Sequence, residues 1–265
     1  MNIKEVFSGL DRLFSENRVG EVERYLTQAL SEAEYENDRE SMLAIYNELI
    51  SFHRTTGEND KALYFCRQAM RLAKQMDIED TISYGTTLMN IANANRTAGN
   101  LLEALGYYNK VHDIYMDQLG PHDILLAGYY NNIAQLYQEL GDYDKAVDAL
   151  EKSLVIIERH ENAGAEIADT CANLGESLLR AGRLDEAKDR LEEAVRRYQF
   201  MNDRGYHYCA VLSALAETWY RQGDNEQALK YYQLAAEELY SVYGDNDTYR
   251  TILNNIETVK ARLQQ

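Results

Sequence analysis

The sequence predicts an all-α protein, a solenoid of helix-turn-helix repeats, and three observations support this prediction. The 265 residues contain a single proline, so the chain has almost none of the residue that interrupts helices. Glycines recur at a nearly constant interval through most of the chain. Apolar residues at helical spacing stand before and after each of these glycines, which indicates two helices in every repeat.

Composition narrows the choice of partners and compartment. A hydrophobic fraction of 45% provides enough apolar surface for folding despite a formal net charge of −17. That charge repels phosphates and anionic membrane surfaces, so we expect a protein or peptide partner, no nucleic acid and no membrane. The N-terminus lacks an apolar signal segment, and no stretch approaches the roughly 20 apolar residues that span a bilayer. The three widely spaced cysteines favour buried thiols, and these features together predict a cytoplasmic protein.

A repeat of 41 to 42 residues organises the chain. Five glycines mark the repeat, and an alanine follows each of them five residues later. The glycines are Gly57, Gly99, Gly141, Gly182 and Gly223, and the alanines are Ala62, Ala104, Ala146, Ala187 and Ala228. Glycine enters the left-handed backbone conformation without strain, so each glycine suits the tight C-terminal end of a helix. Each repeat is therefore predicted to be a helix-turn-helix hairpin.

Apolar stripes define the two helices of each hairpin. Counted from the glycine, positions −11, −8 and −7 form the buried face of the first helix: Tyr46, Leu49 and Ile50; Leu88, Ile91 and Ala92; Tyr130, Ile133 and Ala134; Cys171, Leu174 and Gly175; Leu212, Leu215 and Ala216. Positions +5, +9 and +12 form the facing stripe of the second helix: Ala62, Cys66 and Ala69; Ala104, Tyr108 and Val111; Ala146, Leu150 and Ser153; Ala187, Leu191 and Ala194; Ala228, Tyr232 and Ala235. Small residues at fixed places let the two helix backbones approach closely.

The same spacing extends towards both ends of the chain. An anchor falls at Asn17 in the first repeat, and the last helix has Leu253 and Ile256 on its expected buried face with Glu257 and Lys260 beside them. Such a polar surface is typical of a helix that caps a solenoid. We therefore expect one domain over residues 1–265, with six repeats at about 3–36, 37–78, 79–120, 121–162, 163–203 and 204–246 and a capping helix at 247–265.

The segment from Tyr130 to Ala146 resembles the tetratricopeptide repeat family, because it carries the aromatic, small, tyrosine, Gly-Asp-Tyr and alanine positions of that repeat in order. The long period and the linker from Leu119 to Asp123 further resemble the kinesin-light-chain-like subclass. The resemblance implies a right-handed α-solenoid that serves as a non-enzymatic scaffold or adaptor for other proteins. It also implies a concave groove that is lined by positions −10, −9, −6 and −3 of the first helices.

Those four positions supply the candidate binding residues, which we expect to contact an extended peptide or protein segment. They are Asn90, Asn93, Asn131, Asn132, Gln135, Asn173, Arg54, Arg96, Glu176 and Tyr220. Side-chain amides offer a donor and an acceptor to the main chain of a peptide, and arginines pair with carboxylates. The alternative for the amides is a hydrogen bond to a neighbouring helix, and for the arginines a favourable place at a helix C-terminus. Met89 and Asp169 stand where a clamp for C-terminal carboxylates would need lysines.

The sequence carries no motif of an active site. The five histidines lack metal-ligand spacing, and no phosphate-binding or nucleophile motif is present, so we expect no enzymatic activity, no cofactor and no metal. Two other functions stand beside the scaffold as alternatives. One is a regulatory sensor that binds a signalling peptide and acts on a separate output protein. The other is a structural homo-oligomer that associates through an exposed end or edge.

Overall fold

The computed structural model describes residues 1–264, which form thirteen α-helices, one short 3-10 helix and no strand. The prediction of an all-α fold is therefore confirmed. The chain divides into two compact units, Met1–Pro121 and His122–Gln265. That the whole chain forms one solenoid domain stays a prediction, and Gln265 of the expected capping helix lies outside the described residues. No described helix is both long enough and apolar enough to cross a bilayer.

The unit Met1–Pro121 contains three helical hairpins. Their helices are α1 (Ile3–Ser15) and α2 (Val22–Tyr35), α3 (Arg39–Thr55) and α4 (Asn59–Met76), and α5 (Ile82–Thr97) and α6 (Leu101–Gln118). The 3-10 helix Val19–Glu21 leads into α2. Within this unit α2 packs against α3, and α4 packs against α5, so each hairpin covers the next one.

The unit His122–Gln265 contains three further hairpins and a single last helix. Their helices are α7 (Ile124–Glu139) and α8 (Tyr143–Ile157), α9 (Gly164–Arg180) and α10 (Leu184–Met201), α11 (Tyr206–Gln222) and α12 (Asn225–Tyr243), and α13 (Asp247–Leu263). Here α8 packs against α9, α10 against α11, and α12 against α13. The first helices α9 and α11 also contact each other directly.

The backbone turns at the residues that the repeat period indicates. All five repeat glycines adopt the left-handed conformation, with φ between 76° and 90°. Asn17, the anchor expected in the first repeat, has a φ of 56°. Asn37, Asp77 and Asn202 have the same conformation just after α2, α4 and α10. Asparagine and aspartate tolerate this conformation better than most residues that carry a Cβ, so they also terminate helices here.

The hydrophobic core consists of the two apolar stripes. Every residue at positions +5, +9 and +12 is buried, and so is every residue at −11, −8 and −7 except Tyr130. The expectation of a buried Tyr130 was wrong. Tyr129 next to it is only 4% exposed, whereas Tyr130 is half-buried, with the Lys152 Nζ 5.8 Å from its ring centroid. The buried face of α7 therefore passes through Tyr129, and Tyr130 borders the solvent.

The last helix buries Ile256, as expected, but the expectation of a buried Leu253 was wrong. Ile252, Ile256 and Val259 are buried in α13, whereas Leu253 is 38% exposed. The expected face took the register of the other first helices. The observed row Ile252, Ile256 and Val259 lies on one face of α13, which packs against α12. Glu257 and Lys260 are exposed, as expected.

The three cysteines are free and buried, which confirms the prediction of buried thiols. Burial raises the pKa of Cys66 to about 12 and the pKa values of Cys171 and Cys209 to about 11. These thiols therefore stay protonated at neutral pH and behave as small apolar core residues.

Candidate peptide-binding groove

A groove with a volume of about 480 Å³ follows the first helices α7, α9 and α11 of the unit His122–Gln265. From α7 it is lined by Ile124, Ala127, Gly128, Asn131 and Gln135. From α9 it is lined by Glu166, Asp169, Thr170, Ala172, Asn173 and Glu176, and from α11 by His207, Ala210, Val211 and Ala214. Ile157, Leu191 and Tyr198 contribute from the second helices. We call this feature the α9 groove, because α9 provides most of its polar side chains.

Small side chains make room for this groove. Ala127, Gly128, Ala172, Ala210 and Ala214 all line it, and none of them extends beyond a Cβ. A Cβ built on Gly128 would meet nothing within 4 Å, which shows that the α7 wall is open at this point. The groove is therefore open because α7, α9 and α11 each carry small residues on the helix face that lines it.

A second, smaller groove of about 240 Å³ adjoins the first one. It shares Glu176, Ala210 and Ala214 with the α9 groove, and it continues along α11 and α13 to Asn255. The shared residues indicate that the two grooves form one continuous surface within this unit.

The charged side chains that line the α9 groove are mainly acidic. Glu166, Asp169 and Glu176 line it and are exposed, while no lysine or arginine lines it. Glu166 and Asp169 have no ion-pair partner among the described residues, and the contact of Glu176 with the Arg180 guanidinium is long, at 3.9 Å. His207 is the only basic side chain among the lining residues.

One of these carboxylates is held by a tyrosine. The Tyr198 hydroxyl donates a hydrogen bond to the Asp169 carboxylate. Burial, followed by this hydrogen bond, raises the pKa of Tyr198 well above its usual range. The hydroxyl therefore remains a donor at every physiological pH, and it fixes the direction of the Asp169 side chain.

The groove brings together four of the ten candidate binding residues: Asn131, Gln135, Asn173 and Glu176. Their freedom to bind differs. The Asn131 Nδ2 donates to Ser153 Oγ at 2.6 Å, and its Oδ1 accepts from Thr170 Oγ1 at 3.3 Å, so this amide links three helices of the unit. By contrast, the Asn173 side chain makes no hydrogen bond within the described residues.

Two other candidates of the same unit lie outside the residues that line the α9 groove. The Asn132 Nδ2 donates to the Gly128 carbonyl of its own helix at 2.7 Å. The Tyr220 ring lies 4.3 Å from the Arg262 guanidinium, measured from the ring centroid to Cζ. Both side chains are half-buried, and both have an internal partner.

The remaining candidates belong to the unit Met1–Pro121. Asn90 is half-buried on α5, and Asn93 is buried and accepts a hydrogen bond from the Tyr108 hydroxyl at 2.5 Å. Arg54 and Arg96 are also half-buried. Burial and the neighbouring Arg96 charge lower the pKa of Arg54.

The groove also contains polar residues that the register −10, −9, −6 and −3 missed. Asp169 lies at −13 from Gly182, Glu166 lies at −16, and His207 lies at −16 from Gly223. These positions continue the stripe of −6 and −9 towards the start of the helix, in steps of three and four residues. Extending the stripe over the whole first helix would have found them.

Comparisons with known proteins identify the class of protein. A model of the tetratricopeptide repeat family matches residues 41–117, 83–159, 125–200 and 166–238. The chain belongs to this family, whose repeats indicate a protein-interaction scaffold and whose members are typically non-catalytic.

The relatives support the kinesin-light-chain-like resemblance. The protein KINESIN LIGHT CHAIN-RELATED 1 of Arabidopsis thaliana is 22% identical over 157 residues, which cover 59% of this chain and 26% of that protein. The aligned region thus spans about a quarter of the length of this curated relative. The crystal structure of BtubC (BKLC) from P. vanneervenii is 26% identical with a TM-score of 0.66, covering 77% of this chain and 82% of that one.

A further similarity concerns the fold alone. The apo form of RapI has a TM-score of 0.78 with 10% identity, and the match covers 100% of this chain and 72% of that one. The helical repeat architecture is therefore shared over the full length of the chain by a protein of very different sequence.

Proposed function

We propose that this protein is a non-enzymatic scaffold that binds an extended segment of a partner protein in the α9 groove. The observation that carries the proposal is the groove itself, a trough of about 480 Å³ along three first helices with the unbonded Asn173 amide on its wall. A side-chain amide offers both a donor and an acceptor to a peptide main chain, which gives affinity without demanding a particular side chain.

The size of the groove suits a short extended segment. From Glu166 to Glu176, α9 advances about 15 Å, which is ten steps of 1.5 Å. An extended chain rises about 3.3 Å per residue, so about four to five residues fit against this length. The adjoining groove towards Asn255 provides room for a few more.

Filling the groove tests the proposal. Ala210 is an exposed residue that lines it, so Ala210→Trp should block the trough without disturbing the core. Ala165→Trp is the matched control, because Ala165 is exposed on α9 and does not line the groove. We expect peptides selected by the wild type from a random display library to lose binding to Ala210→Trp and to keep binding to Ala165→Trp. Circular dichroism checks that both variants are folded.

Unchanged peptide binding by Ala210→Trp would contradict the proposal. If Ala210→Trp retains the selected peptides with unchanged affinity, the binding surface lies elsewhere on the chain. If Ala210→Trp does block binding, Asn173→Ala tests the contribution of the Asn173 amide. Loss of one neutral hydrogen bond should weaken the selected peptides by about 2- to 10-fold in Kd.

We also propose that the protein works in a reducing compartment such as the cytoplasm. The three free, buried thiols support this proposal, because none of them is paired in a disulfide. Fluorescence microscopy of the tagged full chain tests the location, and a secreted protein would contradict it.

A further inference from the structure

The carboxylates of the α9 groove form one row on α9. Glu166, Asp169 and Glu176 are separated by three and seven residues, which places all three on one face of the helix. Along the helix axis they stand about 4.5 Å and about 10.5 Å apart. Glu166 and Asp169 are three residues apart, and like charges at that spacing repel each other and slightly destabilise the helix.

The helix dipole explains only one of the three carboxylates in this row. Glu166 lies in the first turn of α9, where the helix dipole favours a negative charge. Asp169 and Glu176 lie beyond that turn and gain little from it. Some other acids of the same unit have close ion pairs: the half-buried Glu193 contacts the Arg196 and Arg197 guanidiniums at 2.9 and 2.6 Å, and the exposed Glu186 contacts the Arg183 guanidinium at 2.6 Å. The groove acids lack such close partners.

The spacing of the row matches an extended chain. Side chains four residues apart on an extended segment point to the same side and lie about 13 Å apart. That separation falls between the 10.5 Å from Asp169 to Glu176 and the 15 Å from Glu166 to Glu176, both taken along the axis as approximate values. One cation can therefore reach the pair Glu166 and Asp169 while a second cation reaches Glu176.

The part of the groove between the carboxylates can accommodate the main chain of an extended peptide. The Asn173 amide lies between Asp169 and Glu176 in sequence and is free to bond to a main chain. Ala210 and Val211 on α11 give the opposite wall a small, apolar surface. The Tyr198 hydroxyl holds the Asp169 carboxylate in place, so this acid loses little freedom when a cation binds.

We propose that the α9 groove selects basic segments, with lysine or arginine at positions i and i+4 of an extended chain. This proposal rests on the proposed function, because it names the class of partner for the same groove. Arginine is the favoured residue, since its planar guanidinium can bond to a carboxylate through two parallel hydrogen bonds. Acidic segments are excluded by the three carboxylates.

Two pools of nine-residue peptides test this selection against the wild type. Both pools are randomised except at positions 3 and 7, which are fixed as arginine in the first pool and as glutamine in the second. We expect the arginine pool to bind at least 10-fold more tightly, and we expect its binding to weaken as NaCl rises from 50 to 500 mM.

Two triple variants assign the effect to the groove. Glu166→Gln, Asp169→Asn and Glu176→Gln together remove the groove charges, and we expect them to weaken the arginine pool by about 10- to 100-fold. The control triple Glu161→Gln, Glu226→Gln and Glu237→Gln removes the same charge from exposed sites of the same unit that lie outside the groove. It should change the affinity by less than about twofold.

The outcomes separate this inference from the function on which it rests. If both pools bind the wild type equally and both are blocked by Ala210→Trp, the groove binds peptides but the preference for basic segments is wrong. If the two triple variants weaken the arginine pool equally, the selection comes from overall charge and not from the groove, and the inference is again wrong. If neither pool binds, both the inference and the proposed function are overturned.

Discussion

The two units use the same repeat positions for different purposes. In the unit Met1–Pro121, Asn93 at position −6 is buried and accepts the hydrogen bond of Tyr108, the residue at +9 of the same repeat. In the unit His122–Gln265, Glu176 at position −6 is exposed, and the residue at +9 of its repeat is Leu191. A leucine offers no hydroxyl that could hydrogen-bond to the Glu176 side chain. The role of a first-helix position thus depends on the residue that faces it.

The two units also differ in the charged residues on their first helices. At position −3 the first unit has the half-buried Arg54 and Arg96, whereas the corresponding residues of the second unit include the neutral Gln138, whose Nε2 donates to Ser177 Oγ at 2.8 Å. Three carboxylates of the second unit, those of Glu166, Asp169 and Glu176, lie along the groove face of α9. Repeats that share one backbone design can therefore present surfaces of different charge.

Two close helix contacts, one in each unit, should show the largest change in stability. A Cβ on Gly175 would lie 2.5 Å from Leu191 Cγ and 3.2 Å from the Leu191 backbone nitrogen, and a Cβ on Gly85 would lie 2.6 Å from Tyr115 Cε1. We expect Gly175→Ala to lower the free energy of unfolding by about 1–3 kcal/mol, because backbone as well as side chain must shift. Gly85→Ala should lower it less, since only a ring must tilt. Urea denaturation measures both.

Gly128→Ala is the control for this pair, since Gly128 is a helical glycine whose added Cβ would meet nothing within 4 Å. We expect it to stabilise the protein by up to about 1 kcal/mol through helix propensity. A destabilisation as large as that of Gly175→Ala would mean that crowding at Leu191 is not the cause.

The next effect compares two asparagines. Asn93→Ala should lower the free energy of unfolding by about 1–2 kcal/mol, because the fully buried Tyr108 hydroxyl loses the Asn93 acceptor. Asn173→Ala should change it by less than about 0.5 kcal/mol, since Asn173 is half-buried and makes no side-chain hydrogen bond among the described residues. Equal losses for the two variants in urea denaturation would contradict the distinction between the units.

The smallest effect concerns two acids and depends on pH. Burial, with a smaller contribution from the Asp11 charge, raises the pKa of Glu48 in the first unit. A raised carboxyl pKa in the folded state means that stability falls as pH rises through the range where Glu48 ionises. Glu48→Gln should therefore raise the free energy of unfolding at pH 7 by on the order of 0.5 kcal/mol. The gain should shrink as the pH is lowered towards 5.

The matched variant in the second unit is Glu176→Gln, which replaces an exposed acid of the groove. At pH 7 its free energy of unfolding should change clearly less than that of Glu48→Gln, because Glu176 is exposed. A gain equal to that of Glu48→Gln would show that overall negative charge, and not burial, sets the effect.

The positions of the groove residues could be predicted only in part. The repeat register located Asn131, Gln135, Asn173 and Glu176 on the wall of one groove. It could not indicate that Asn131 is engaged by Ser153 and Thr170, because these partners lie 22 and 39 residues away on other helices. The register also stopped short of Asp169 and Glu166, although helical spacing alone could have extended it to them.

The all-helical fold, the turn at each repeat glycine and nearly all of the two buried stripes could be predicted from the order of residue types. These features depend on residue size and backbone freedom within one hairpin, and short-range periodicity records both. Packing between helices determines that Tyr129 is buried and Tyr130 is not, and that Ile252 is buried and Leu253 is not. It also determines which polar side chains form no hydrogen bond. Those outcomes depend on what a neighbouring hairpin places opposite each residue, and a repeat period does not contain that information.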